Sequence, residues 1–299
     1  MAAPITFAIP YFRNRTFLGE AIESVRSQTT SDWELLVVDD AGPEPADDLI
    51  ASYADSRMRY VRHEANLGMT ANWNACLRLA NAPLTTLLHQ DDRLLPRYAE
   101  RVLAAARARP DAAAYFTDVR VIGLNGEPTT TAADLAKKLS RRPKTDYDLA
   151  GDDAMASLVA TNYIYCPSLC LNRSVVGTDP FDGSWSMVQD LEFTTRQLLQ
   201  GRELHCVREV LFEYRRHSDS QTESYTLDAS RFVEELRLYR GLEAKALDQG
   251  WERSARAARR RWMLRGHVGH KMLVDLIRGR PTAAGRKAAL LTADLLGRH

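Results

Sequence analysis

Along the N-terminal half of the chain, short apolar runs alternate with stretches of helical spacing. The run Ile5-Thr-Phe-Ala-Ile predicts a strand, and residues 16–27 place Phe17, Leu18, Ala21, Ile22 and Val25 on one helical face. Strands are predicted next at 34–38 and 58–61, with helices at 45–54 and from about 70 to 80. Residues 84–88 form the following strand, 96–108 a helix and 112–121 a further strand. This β-α-β-α order predicts an α/β fold: a mostly parallel mixed sheet flanked by helices.

The pattern loosens in the middle. Residues 125–153 have no sustained period and mix Thr129-Thr-Thr, Lys137-Lys and Arg141-Arg-Pro. A loop that long inside a compact domain is usually functional, so it reads as a substrate-side flap or as a surface insertion. From Ala154 a helix leads into a strand at 163–171; 189–199 is helical and 211–214 is a late strand. Two further helical stretches, 227–247 and 251–277, divide the chain into a unit at 1–222 and a helical C-terminal extension at 223–299.

Composition narrows the class. With 45% hydrophobic and 26% charged residues, the 299-residue chain is that of a soluble globular protein. Its net charge of +1 is unevenly spread: residues 251–299 hold 12 Lys/Arg against 3 Asp/Glu, which leaves −8 on the rest. The body therefore wants a cation, and the appendage is basic. Arg253-x2-Arg256-x2-Arg259-Arg-Arg before Trp262 is a basic amphipathic stretch. Such a helix can lie on an anionic membrane, pack on the core or meet a second subunit in a homodimer. No basic leader precedes the first strand and no apolar run approaches a spanning length, so the expected location is cytoplasmic, with peripheral membrane contact as an option. Cys76, Cys166, Cys170 and Cys206 lack zinc-site spacing and read as buried free thiols.

Two adjacent aspartate pairs end apolar strands: Asp39-Asp40 after Trp33-Glu-Leu-Leu-Val-Val, and Asp91-Asp92 after Leu84-Thr-Thr-Leu-Leu-His-Gln. Neighbouring carboxylates repel, so a cleft-facing pair needs a cation or hydrogen-bond donors. At the carboxyl ends of parallel strands, both pairs open into the crevice where α/β sheets bind ligands. Either pair could instead begin a solvated loop or cap a helix. No G-x-G-x-x-G follows the first strand and no G-x-x-x-x-G-K-[ST] occurs, which disfavours dinucleotide dehydrogenases and P-loop NTPases. Nothing resembles a nucleic-acid-binding module.

Further segments recur in a characteristic order: Ile9-Pro-Tyr-Phe-Arg-Asn, Ala21-Ile-Glu-Ser-Val-Arg-Ser-Gln-Thr, Val37-Val-Asp-Asp, Asn66-Leu-Gly-x5-Asn74, His89-Gln-Asp-Asp, Phe181-Asp, Gln189-Asp-Leu-Glu-Phe and Tyr214-Arg-Arg-His. Together they resemble the family 2 glycosyltransferases of the GT-A fold, an inverting class, over residues 5–222. The resemblance implies a nucleotide-diphosphate-sugar donor and a saccharide or lipid-linked acceptor, in surface polysaccharide or glycoconjugate synthesis. A non-catalytic nucleotide-sugar-binding protein of the same fold is the alternative.

The resemblance also implies roles. Asp40 accepts from the nucleobase, Pro10 and Tyr11 shape its pocket, and Asn66 and Gly68 run past the nucleotide. Asp91-Asp92 stands at the family's D-x-D motif, with His89 in place of its first carboxylate. Asp92 is then expected on Mn2+ or Mg2+, and Asp91 on the ribose or metal shell. His217 completes the metal shell or touches the diphosphate, and Arg215 and Arg216 neutralise phosphate or line a strand. Asp190 matches the catalytic base, with Gln189 replacing an acidic neighbour and Glu192 as second choice. Trp185 is expected to stack on an acceptor sugar.

Overall fold

The apolar runs pair into one nine-stranded sheet. The computed structural model describes residues 3–131, 134–135, 137, 142–217 and 229–297. Strands β1 (Ile5–Tyr11), β2 (Trp33–Asp39), β3 (Met58–Arg62) and β4 (Leu84–Leu87) form a parallel block in the order β3-β2-β1-β4. Beyond β4 come β8 (Cys170–Asn172), β6 (Ala114–Ile122), β9 (Leu204–Arg215) and the two-residue β5 (Arg93–Leu94). β6 and β9 are parallel to each other; β8, β5 and β7 (Tyr147–Leu149) pair antiparallel with their neighbours.

The alternation of side chains along each strand builds two cores, one on each face of the sheet. Ile5, Phe7, Ile9 and Tyr11 of β1 join Leu35 and Val37 of β2 in one cluster. Ala8, Leu36 and Val38 point into the other, with Trp73, Phe181 and Phe193. Both faces are covered by helices, so β2 reads as a continuous apolar run rather than an alternating one. The first covering helix, Arg15–Arg26, is capped by Asn14, whose side chain accepts from the Phe17 amide at 3.1 Å.

Several predicted elements change. The strand at 163–171 is largely a turn, Cys166–Ser168, with Pro167 at its start, and only Cys170–Asn172 enters the sheet. A proline has no N–H to give a sheet ladder. The stretch 251–277 is two helices, Glu252–Arg260 and Trp262–Ile277, broken where Arg261 takes φ 32°. A last helix, Pro281–Leu295, was not predicted.

The C-terminal extension does not stand apart. Phe232, Leu236 and Leu242 of helix Ser230–Asp248 share a core with Phe193 and Leu198, and the Tyr239 hydroxyl donates to the Val159 carbonyl at 2.8 Å. The expected boundary at 222 lies outside the described residues. The basic stretch is also largely satisfied within the chain. Arg253 pairs with Asp153, Arg259 with Glu243, and Arg261 with Asp294. Among the described residues no helix is long and apolar enough to cross a membrane. Cys76, Cys166, Cys170 and Cys206 are unbonded thiols.

Candidate active site

The parallel order β3-β2-β1-β4 places the carboxyl ends of β1, β2 and β4 side by side, and their loops are tied to one another. The Gln90 side chain accepts from the Phe12 amide at 2.9 Å, joining the loops after β4 and β1. Gly42 lies so close to the Phe12 carbonyl that a Cβ there would sit 1.5 Å from its oxygen, joining the loops after β2 and β1. Neither Gln90 nor Gly42 stood out in the sequence, because each acts through a contact distant along the chain.

The first aspartate pair is satisfied by the protein itself. Asp39, fully buried, takes the Arg62 guanidinium, the Tyr60 hydroxyl and, at 2.9 Å, the Gly42 amide. Asp40 accepts from the Leu67 and Gly68 amides at 2.7 and 3.0 Å, while the Asn66 side chain donates to its carbonyl at 3.2 Å. Gly68 enters the Met69–Leu79 helix with φ 84°, where a side chain would be strained. Asp40 thus ties the loop after β3, with Asn66 and Gly68, to the end of β2. Pro10 and Tyr11 end the adjacent β1. The Tyr11 hydroxyl donates to the Glu44 carbonyl at 2.7 Å, and burial pushes it up to about 12.

The second pair is left partly unsatisfied. Asp91 Oδ2 meets His217 Nε2 at 2.8 Å. That hydrogen bond, with the charges of His89 and His217, holds the Asp91 carboxyl below its usual range against the opposing effect of burial. Asp92 Oδ1 accepts from the Arg215 amide at 2.8 Å, but Asp92 Oδ2 and His89 Nε2 are buried without any hydrogen-bond partner. Burial, and then the charge of Asp91, push the Asp92 carboxyl well above its ordinary value. Ligand atoms of His89, Asp91 and Asp92 lie within 4.8 Å of one another. Two carboxylates and an imidazole converging with two orphaned polar atoms fit a divalent cation. His217 reaches this cluster through Asp91 and packs on Phe17 at 5.6 Å.

Asp190 opens helix Gln189–Leu199, where it accepts from the Leu191 amide at 2.8 Å. Burial raises its carboxyl, and the positive charge of Lys137 opposes that rise. The same burial brings Lys137 down to about 8. The charges of both Asp190 and Asp92 raise the Cys166 thiol further after burial, so the two carboxylates act on one buried spot. Lys137 and Asp134 come from the unpatterned 125–153 segment. Asp134 pairs with Arg216 and accepts from the Tyr165 hydroxyl at 2.8 Å. Asp134 and Lys137 of this segment therefore lie against the site, while 132–133, 136 and 138–141 are outside the described residues. Lys137 carries no motif signal in the sequence.

Other expected residues have partners within the chain. Arg215 is buried, with Glu20 and the Asp91 and Leu124 carbonyls as partners, so it braces β9. Glu192 binds Arg196 at 2.8 Å. With Trp185, Arg196 and Lys245 it lines a cavity of about 340 Å³. At 100° per residue that face of the helix points away from Asp190. One ring face of Trp185 is covered by Arg237 at 3.9 Å. Trp185 thus has one ring face occupied by a cation of the chain itself. Its backbone still matters: Thr70 donates to the Trp185 carbonyl at 3.2 Å and accepts from the Gln189 side chain at 2.9 Å. Asn74 and Phe181 bond reciprocally at 2.8 and 3.1 Å.

Comparison with known proteins agrees with this layout. Residues 6–170, more than half of the chain, match the family model described as glycosyl transferase family 2. EpsH of Bacillus subtilis, named as a glycosyltransferase, is 25% identical over 74% of this chain and 63% of its own length. TuaG of the same organism, named for teichuronic acid biosynthesis, is 24% identical over 71% of this chain and 78% of its own. The chain thus spans less than two thirds of EpsH. Among solved structures, S. aureus TarS 1-349 in complex with UDP-GlcNAc superposes with a TM-score of 0.60 at 15% identity, covering 81% of this chain and 66% of that one. That likeness establishes the GT-A-like fold.

Proposed function

The chain belongs to glycosyl transferase family 2, and from that membership we propose that it moves a sugar from a nucleotide diphosphate to an acceptor hydroxyl with inversion. The observation that carries the reading is the contrast between the aspartate pairs. The chain satisfies Asp39-Asp40 internally, yet leaves Asp92 Oδ2 and His89 Nε2 buried and open to a ligand.

In this reading Pro10, Tyr11, Asp40, Asn66 and Gly68 frame the nucleoside, and the loop 89–92 faces the diphosphate. Asp92 and Asp91, with the His89 nitrogen, would hold Mn2+ or Mg2+, whose charge offsets that of the diphosphate. His217 fixes Asp91, the kind of outer hydrogen bond that orients a ligating carboxylate. Asp190 accepts the acceptor's hydroxyl proton as that oxygen bonds to the anomeric carbon, and the nucleoside diphosphate departs with the electrons of the broken C–O bond. The name of TuaG supports a surface polysaccharide as the product class. A saccharide or lipid-linked acceptor suits that class.

Thermal-shift measurement with UDP-, GDP- and dTDP-sugars tests the donor site. One of them is expected to stabilise the protein, more with Mn2+ than with Mg2+, because a nitrogen in the donor set disfavours the harder ion. Asp92→Asn is expected to remove the metal dependence. Stabilisation by none of the donors would overturn the reading, and unchanged metal dependence in Asp92→Asn would remove the metal assignment. Donor binding without transfer to any acceptor would favour the non-catalytic alternative, to which His89 in place of a carboxylate lends support.

A further inference from the structure

Helices Trp262–Ile277 and Pro281–Leu295 fold back on each other through the turn 278–280, pinned by Lys287 to Asp275 at 2.8 Å and by Arg261 and Arg265 to Asp294 at 2.8 Å. Asp275 and Asp294 are the only acidic residues from 261 to 297, and both are buried in these pairs. The fold thereby hides every negative charge of the hairpin. Arg278, Arg280 and Arg286 are exposed, and none has a carboxylate partner among the described residues.

Beside them, at the same turn, Leu273, Leu276 and Ile277 are 55, 53 and 85% exposed. Spaced three and four apart, they share one face of the helix. The basic stretch before this hairpin offers less free charge, since Arg253, Arg259 and Arg261 are consumed in ion pairs. A two-fold contact with a second copy would set these arginines against their own images. A surface that offers hydrocarbon and negative charge together suits both features at once.

We propose that the turn of this hairpin, Leu273, Leu276, Ile277, Arg278, Arg280 and Arg286, docks the protein on an anionic lipid bilayer. The apolar residues enter the headgroup boundary and the arginines meet lipid phosphates. The proposal is independent of the donor site, and it moves the membrane-facing surface away from the Arg253–Arg261 stretch that the sequence suggested.

The test is co-sedimentation of the full chain with vesicles of roughly three parts phosphatidylcholine to one part phosphatidylglycerol. Binding is expected, weakening with salt and absent on phosphatidylcholine alone. Ile277→Asp, and separately Arg278→Glu with Arg280→Glu, are each expected to lower partitioning by about tenfold or more. These positions are exposed, so melting temperature and donor-induced stabilisation should match the parent chain. No sedimentation, equal binding to neutral vesicles, or wild-type binding by both variants would overturn the proposal. So would a dimer in light scattering that Ile277→Asp abolishes without any vesicle binding, which would assign the face to a second copy.

Discussion

At the scale of single residues, Asp190 shows how a position acquires chemistry from its surroundings. Burial raises its carboxyl, with Lys137 opposing. A folded value above the unfolded one means that the associated stability is intact below the ordinary carboxylate range and is lost as pH rises through the raised value. The ionised carboxylate that would accept a proton is therefore one the fold does not favour. Asp190→Asn is expected to raise the melting temperature at neutral pH, and the gain should vanish at acid pH; calorimetry at the two conditions checks this. The same change should lower kcat by about 10²–10⁴-fold. In the parent protein kcat should climb with pH through the raised value. The motif around Asp190 was legible in the sequence. Its environment was not, because Lys137 arrives from an unpatterned segment about fifty residues away in a fold that only tertiary contacts define.

At the scale of elements, periodicity was most informative where a strand or helix has one dominant environment. β1 to β4 and the helices between them came out close to expectation, because β1, β2 and β4 are buried on both faces and only the edge strand β3 is partly exposed. Leu36, fully buried in the middle of β2, should cost about 2–5 kcal/mol when changed to Ala. Val210→Ala, on the 45% exposed side of β9, should stay within about 0.5 kcal/mol. Urea denaturation of the two variants compares them directly. The pattern failed for short antiparallel pieces such as β5 and β7, which hold two and three residues. Segments that short carry no period, and they are strands only because β9 offers an edge to pair with. The break at Arg261 was equally hidden, since its buried bond to Asp294 is what accompanies the left-handed backbone there.

At the scale of the whole molecule, Asp294 joins the last helix to the rest through Arg261 and Arg265. Removing it leaves the buried Arg261 guanidinium without its carboxylate, so Asp294→Ala should cost about 3–5 kcal/mol. Hydrogen exchange should show the loss concentrated in helices Trp262–Ile277 and Pro281–Leu295. The basic tail was visible as a count of charges, but which of its arginines remain available depended on where acidic partners fell in space. The candidate site follows the same division. The sequence alone determined the α/β order, the family resemblance and the two aspartate pairs at strand ends, because hydrophobic period and motif are local properties of the chain. Only the tertiary structure decided that Asp39-Asp40 is satisfied by Arg62 and backbone amides while Asp92 and His89 keep unpartnered atoms, and that Arg237 covers one face of the Trp185 ring. Those outcomes depend on contacts between residues far apart in sequence, and on which polar groups burial leaves without a partner.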